Sequence, residues 1–172
     1  RGTDMHELPS GEDVIPKISP NGSYVAVVRS ENGEGILTVV DTENGQNVEG
    51  TPTSIGPVQP DEGAYVAAVT DDGMVVIRQG DQYLTWSGDG TTGTSSGQMV
   101  YDATAAGVVA GDVDPGPEDG GPAYLAEISD TGALTKVRDL PEHDDLIVSP
   151  SGSWMAWTPI GTTRGDVTAV PS

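Results

Sequence analysis

The chain has 172 residues, of which 27 are acidic and 7 are basic, so its formal net charge is −20 at pH 7. This charge repels nucleic acid and anionic membrane surfaces, which excludes both as expected partners. The chain contains no cysteine, so disulfides and thiolate metal sites are excluded as well. No apolar run approaches the roughly 18 residues that a transmembrane helix needs.

The composition favours one all-β domain. Apolar residues make up 35% of the chain and Phe is absent, so the core depends on Val, Ile, Leu and Ala. The chain also holds 24 glycines and 13 prolines. Together with the abundance of Val and Thr, this mixture predicts short strands joined by tight turns.

The acidic excess and the scarcity of lysine resemble the residue usage of haloarchaeal proteins, and an acidic secreted bacterial protein is the alternative. Only Lys17 and Lys136 are lysines. At about 1 M salt the Debye length is roughly 3 Å, so the repulsion between acidic groups nearly vanishes. We therefore expect a halophilic protein that is extracellular or lies on a cell or virion surface. The cytoplasm of a haloarchaeon stays open as an alternative.

An internal repeat is the strongest pattern in the chain. The stretch SPNGSYVAVV at 19–28 returns as SPSGSWMAWT at 149–158. Weaker copies lie between them, and the anchoring alanines are 41, 43 and 46 residues apart: Ala26, Ala67, Ala110 and Ala156. Such a period is typical of stacked repeat architectures.

Each copy is followed by five- or six-residue runs rich in β-branched residues, which Asp-Gly and Asn-Gly turns separate. The Ala-rich segment 103–110 is the single candidate helix, and Gly107 with the paired valines after it argues for a strand instead. The pattern predicts one domain over 1–172, with four antiparallel sheets of about four strands. We place these sheets at 12–50, 54–88, 97–140 and 144–172.

The repeat resembles a known family. Ser-Pro-Asn-Gly-x-Tyr-Val-Ala, followed by Leu-Thr-Val-Val-Asp-Thr-Glu-Asn-Gly, is similar to the TolB-type repeat of β-propellers, a relative of the WD repeats. The resemblance implies an all-β propeller of about four blades, either a small closed ring or part of a larger one. It implies no particular function, since propellers bind proteins, bind sugars and accompany enzymes alike.

Ring closure is the next expectation. The segment 6–14 parallels 138–146, which ends one sheet and leads into the next. Residues 3–8 are therefore expected to supply an outer strand to the last sheet, which would remove an open edge.

No catalytic residues are predicted. Residues 93–97 match the G-x-S-x-G pattern, but the nucleophile elbow needs a strand before it and a helix after it. Residues 89–92 before the match read as a flexible turn, and the two histidines, His6 and His143, lie in segments between sheets. Arg-Gly-Asp at 164–166 is interpreted as a turn before a strand.

An acidic loop is the candidate metal site. Carboxylates gather in a short segment and could bind Ca²⁺, which takes six to eight oxygen ligands: Asp112, Asp114, Glu118 and Asp119. Gly and Pro occupy intervening positions, which favours a solvated hairpin tip instead. Calcium is thus the single cofactor that the sequence suggests, and the alternative is no cofactor.

Trp154 and Trp157 are the candidate partner-binding residues. They are three positions apart on one predicted strand, so their side chains face opposite ways and one of them is expected to be exposed. The leading hypothesis is a non-catalytic propeller that binds another protein, as a platform or as one subunit of an assembly. The alternatives are the propeller portion of a prolyl-oligopeptidase-like hydrolase with a longer parent chain, and a propeller that binds a glycan or another small ligand.

Overall fold

The structure is a computed structural model, and it describes residues 14–58, 63–88, 90–96, 98–112, 123–129, 131–140, 145–151, 153–158 and 168–171. Within these ranges the chain forms sixteen strands and no helix. All strand pairs are antiparallel. The prediction of an all-β chain built from antiparallel sheets is confirmed.

The strands form four sheets that follow one another along the chain. The first sheet contains β1 (Lys17–Ile18), β2 (Tyr24–Glu31), β3 (Glu34–Asp41), β4 (Gln46–Asn47) and β5 (Thr53–Pro57). The second contains β6 (Ala64–Val69), β7 (Val75–Gln79), β8 (Gln82–Ser87) and β9 (Gly90–Ser96). The third contains β10 (Gln98–Thr104), β11 (Gly107–Asp112), β12 (Ala123–Ile128) and β13 (Leu134–Asp139). In the fourth, β14 (Asp145–Val148), β15 (Trp154–Thr158) and β16 (Thr168–Pro171) are described.

Local turn chemistry explains the hairpins. Asn32 and Gly33 join β2 to β3 with φ angles of 53° and 82°. Positive φ at both central residues defines the type I′ turn, whose twist matches that of the flanking strands. The expectation that Asn-Gly supplies this geometry is confirmed here. The two outer strands of the first sheet, β4 and β5, both pair with β3.

The sheets pack face to face in chain order, with an apolar core between each successive pair. The core between the first two sheets joins side chains of β2, β3 and β5 to those of β6, β7 and β8, including Leu37, Val39, Ile77 and Trp86. The next core joins the second and third sheets through Val76, Tyr83, Val108 and Ala126, among others. A smaller core joins the third and fourth sheets: Val109, Ala123, Leu140 and Met155, with Val148 packed against them.

The second sheet is therefore buried on both faces. On β7, Val75 and Ile77 face the first sheet, whereas Val76 between them faces the third. A strand that is covered on both faces needs a continuous apolar run rather than an alternating one, which is the pattern of this segment.

Two predicted sheet boundaries need correction. Residues 53–57, expected near the start of the second sheet, pair with β3 of the first. Residues 90–96, the first three of which were read as part of a flexible turn, form β9 and pair with β8. Both segments lack the continuous apolar runs of buried strands, because they occupy the outer edges of their sheets.

The alignment of the second repeat also needs correction. Ala26 and Ala156 lie on the second strand of their sheets, but Ala67 lies on β6, the first strand of its sheet. The turn of the second sheet that matches Ser-Pro-Asn-Gly is 70–73, which follows Ala67 instead of preceding it. The third copy agrees with its predicted secondary structure: Ala110 lies on β11, and 103–110 contains no helix.

Residues 3–8, expected to close the last sheet, lie outside the described residues. No helix among the residues that the structure describes is long and apolar enough to cross a membrane.

Candidate functional site

The turns that join the first and second strands of each sheet have a common construction. In three sheets a Ser or Thr directly follows the first strand: Ser19, Thr70 and Ser149. The hydroxyl of each accepts a hydrogen bond from the backbone N–H where the second strand begins, at 3.0, 3.1 and 3.0 Å. In the third sheet, the Thr104 hydroxyl accepts from the N–H of Ala106 at 3.2 Å instead. Short hydroxyl side chains stabilise such turns by bonding nearby backbone groups. We call the region formed by 19–23, 70–74, 104–107, 149–151 and residue 153 the turn end.

Hydrogen bonds connect these turns across neighbouring sheets. The backbone N–H of Asn21 in the first sheet donates to the carboxylate of Asp71 in the second at 2.8 Å. The N–H of Ala105 in the third sheet donates to the carbonyl of Pro150 in the fourth, also at 2.8 Å. These bonds link the turns in two pairs, the first with the second and the third with the fourth.

The strand pairings identify equivalent positions in the four sheets. In every sheet, the residue two positions before this Ser or Thr lies on the first strand and pairs with the second strand. These four residues are Lys17, Ala68, Asp102 and Ile147. Lys17 and Asp102 lie on the first and third sheets, which are not neighbours in the chain. Even so, their Nζ and Oδ1 atoms are 3.8 Å apart.

A β-bulge directs Asp102 away from the core. The register of β10 shifts between Val100 and Asp102, so Tyr101 is the extra residue. Val100 and Ala103 both pack in the core between the second and third sheets. In a regular strand Val100 and Asp102 would face the same way, whereas the bulge places Asp102 on the other face, which is a common role of bulges next to binding sites.

The turn end contains a cavity of about 350 Å³. Its walls come from three sheets: Ile18, Ser19, Pro20, Asn21 and Gly22 of the first, Asp102 and Ala103 of the third, and Val148 and Pro150 of the fourth. The charge of this cavity comes from one carboxylate, that of Asp102, whose side chain is 56% exposed. The cavity thus has mixed walls, part aliphatic and part polar, with a single accessible anion.

The surroundings of the cavity are acidic. The second-sheet turn beside Asn21 carries Asp71 and Asp72, and the Asp72 carboxylate accepts a hydrogen bond from the Thr70 hydroxyl. Lys17 is the cation of the described residues that contacts the cavity wall, through its ion pair with Asp102. Several negative charges around a concave surface attract positively charged ligands.

The predicted calcium site lies largely outside the described residues. Asp112 ends β11, at the opposite end of the sheet from the turn end, whereas Asp114, Glu118 and Asp119 fall in the segment 113–122 that is not described. Among the residues that the structure describes, no group of three or more His, Asp or Glu side chains could hold a metal ion. The Ca²⁺ hypothesis therefore remains a prediction.

The predicted partner-binding tryptophans lie on β15 of the fourth sheet. The Trp154 side chain is 55% exposed, so it is accessible to a partner. Its diagonal neighbour on β14, Ile147, shares the same face and is 72% exposed. The next residue on β15, Met155, faces the opposite way and packs in the core between the third and fourth sheets. The side chain of Trp157 lies outside the described residues.

The G-x-S-x-G match lies on a strand. Ser95 is within β9 and pairs with Tyr83 of β8. The nucleophile elbow is a sharp turn between a strand and a helix, so the local geometry of Ser95 differs from that of a catalytic serine in such an elbow. The Arg-Gly-Asp tripeptide at 164–166, His6 and His143 lie outside the described residues.

Sequence reasoning missed Lys17 and Asp102. They are ordinary charged residues in weakly patterned strands, and only the strand register shows that they are equivalent. The Ser or Thr that begins each turn was the available signal, because counting back two positions from it reaches both residues. No protein-family model matches this sequence, and a search of curated proteins found no significant match.

Proposed function

We propose that the chain is a non-catalytic, four-bladed β-propeller scaffold that binds another protein through its turn end, outside the cell or on a cell or virion surface of a halophile. Each sheet is one blade in this proposal. The observation that carries it is the turn-end cavity, which residues from the first and the last described sheets line together.

The distances support a curved rather than a linear stack. Packed sheets lie about 10 Å apart, so a linear stack would separate the first and third sheets by about 20 Å and the first and fourth by about 30 Å. The contact of Lys17 with Asp102 at 3.8 Å is incompatible with the first of these separations. Arrangement around a common axis brings the innermost strands of all blades together, as in propellers.

The binding role follows from the surface that this arrangement offers. The turns are hydrogen-bonded in two pairs across neighbouring sheets, which restrains the cavity wall at Asn21 and Pro150. A preformed surface loses little conformational entropy when a partner binds. Trp154 and Ile147 add an exposed apolar patch on the fourth sheet, and exposed apolar patches are typical of protein interaction sites.

The ring can be tested with spin labels, because the chain has no cysteine to remove. Ile18→Cys and Ser151→Cys place one label on the first sheet and one on the fourth. A ring predicts a separation of about 20 Å or less including the linkers, whereas a linear stack predicts about 30 Å or more. The pair Ile18→Cys and Asp72→Cys, on neighbouring sheets, calibrates the linker contribution. A distance at or above the linear value contradicts the propeller.

The binding surface can be tested by photo-crosslinking in extracts of the source organism. A crosslinker on Ile18→Cys reports the turn end, and one on Asp81→Cys reports the β7–β8 hairpin at the opposite end. We expect one protein to be captured from the turn end alone and then to bind the purified chain. Equal capture from both positions, or a captured protein that does not bind in purified form, contradicts the proposal.

A further inference from the structure

We propose that the turn-end cavity binds a lysine or arginine side chain that an extended segment of the partner protein presents. This inference rests on the proposed function and adds the chemical class of the partner. Its basis is the combination of one accessible carboxylate, aliphatic side chains in the cavity wall and an internal cation that already contacts the carboxylate.

The charge of the cavity favours a cation. Asp102 supplies the carboxylate on the wall, and Asp71 and Asp72 lie in the adjoining turn. The chain as a whole carries a net charge of −20, so anionic partners are repelled before they reach the cavity. A basic segment can pair with Asp102 at short range, where screening by concentrated salt acts least.

The walls suit the stem of a basic side chain. Ile18, Val148, Pro20, Pro150 and Ala103 present aliphatic surface around the carboxylate. Lysine and arginine carry three or four methylene groups below their charged heads, and such stems pack along apolar surface while the head stays with an anion or with water. A cavity of about 350 Å³ is at the lower end of the range for ligand pockets, which fits one side chain with its adjoining backbone.

Lys17 already places a cation beside Asp102, as the side chain of the partner would. Its ammonium is 3.8 Å from Asp102 Oδ1, beyond ordinary hydrogen-bond length, and its side chain is 33% exposed. Such an exposed and loosely formed ion pair is weak. An incoming cation can therefore displace Lys17 from Asp102, which makes Lys17 an internal competitor for the site.

The test uses tetralysine as the probe and tetraglutamate as the charge control, with binding measured by titration of backbone amide resonances of the full chain. Asp102→Asn removes the carboxylate from the cavity. Asp81→Asn is the matched control, because it removes one negative charge from the exposed β7–β8 hairpin at the opposite end. Lys17→Gln removes the competitor.

We expect tetralysine to shift the amides of 18–22 and 102–103, and tetraglutamate to shift none of them. Asp102→Asn is expected to weaken binding about fivefold, as loss of a partly exposed ion pair does, while Asp81→Asn changes it less than twofold. Lys17→Gln is expected to strengthen binding about threefold. This increase separates a binding role of Asp102 from a merely structural role of the ion pair, for which Lys17→Gln and Asp102→Asn would act in the same direction.

Several outcomes overturn the inference. Equal weakening of tetralysine binding by Asp102→Asn and Asp81→Asn means that the binding depends on the net charge of the chain and not on the carboxylate in the cavity. Shifts confined to the β7–β8 hairpin place the cation elsewhere. Broadening of the 18–22 amides with protein concentration in the absence of peptide means that a second copy of the chain fills the cavity. If the crosslinked partner binds while tetralysine does not, the proposed function stands and this inference fails. If tetralysine binds and no protein is captured, the cavity is a cation site, but the proposed function fails and with it the claim that a partner presents the side chain.

Discussion

Tyr83 is a buried tyrosine at the start of β8, close to a small polar group at the β7–β8 end of the second sheet. It is 3% exposed, and burial raises the pKa of its hydroxyl above the ordinary value of 10.0, while the nearby positive charge of Arg78 lowers it by a smaller amount. The Arg78 guanidinium donates to the Tyr65 hydroxyl at 3.0 Å and to the carbonyl of Gly80 at 2.9 Å. Its own pKa is raised mainly by the bond to Tyr65.

The raised pKa of Tyr83 predicts a loss of stability at alkaline pH. Below about pH 10 the tyrosine is protonated in both the folded and the unfolded chain, so it adds no pH dependence. Above this value the unfolded chain releases the proton while the folded chain keeps it, so the free energy of unfolding falls as the pH rises through the folded pKa. Unfolding midpoints measured between pH 8 and about 11.5 check this.

Tyr83→Phe is the control for the alkaline transition. The variant lacks the titrating hydroxyl, so its midpoint is expected to fall less steeply above pH 10. Some dependence should persist, because burial also raises the pKa of Tyr101. A fall of equal steepness in both proteins would show that Tyr83 does not cause it.

At the scale of the element, Gly107 determines how β11 begins. Its φ is 131°, a conformation that side chains rarely adopt, and a Cβ at this position would lie 2.4 Å from the backbone carbonyl oxygen of Ala126 on β12. The clash involves the backbone of the third strand, so no side-chain rotation can relieve it. The hairpin from β10 to β11, which carries Asp102 to the cavity, therefore requires glycine here.

Gly107→Ala is expected to destabilise the chain by about 2–4 kcal/mol, the sum of backbone strain and the steric clash. Gly33→Ala is the matched control: Gly33 also has positive φ, 82°, but a Cβ at this position would have no atom within 4 Å. Strain alone should cost this control about 1 kcal/mol. Denaturant unfolding compares the two variants, and equal losses would contradict the role of the Ala126 carbonyl.

The sequence predicted strands more reliably than sheet boundaries. Runs such as 24–28 and 75–77 are apolar because both of their faces are buried, and a buried strand is visible in the sequence for that reason. The segments 53–57 and 90–96 each pair with one described strand at the edge of a sheet, where Ser, Thr and Gly are tolerated. Their membership of a sheet depends on hydrogen bonds to β3 and β8, which residue type does not specify.

At the scale of the whole molecule, stacking of sheets could be predicted and the candidate site could not. The repeat predicted several sheets of similar construction. Its strands are apolar on both faces, which predicted that these sheets cover one another. The pairing of Lys17 with Asp102 depends on the curvature of the stack and on a one-residue bulge at Tyr101, neither of which has a sequence signature. Strand periodicity predicted that one of Trp154 and Trp157 is exposed, and Trp154 is, whereas the cavity forms only where three sheets meet.

The charge of the whole molecule leads to the last prediction. Three ion pairs join basic and acidic residues in the described part of the chain: Lys17–Asp102, Arg29–Glu31 and Lys136–Asp139. The sequence contains 27 acidic residues, and most carboxylates in the described part of the chain are exposed, so acidic groups repel one another across the surface. The Debye length falls from about 10 Å at 0.1 M salt to less than about 3 Å at 2 M, which removes most of this repulsion from the folded state.

We therefore expect the thermal midpoint to rise by about 5 °C or more between about 0.1 M and 2 M NaCl, which corresponds to roughly 2 kcal/mol at this chain length. Salt also strengthens apolar burial, so a variant with fewer charges is needed to isolate the electrostatic part. Glu43→Gln, Glu49→Gln and Asp81→Asn together remove three exposed charges without touching the cavity. This variant should start from a higher midpoint in low salt and gain less from added salt, because it begins with less repulsion to screen. A midpoint that does not change with salt, or an equal gain in both proteins, would rule out charge repulsion as the reason and with it the halophilic interpretation.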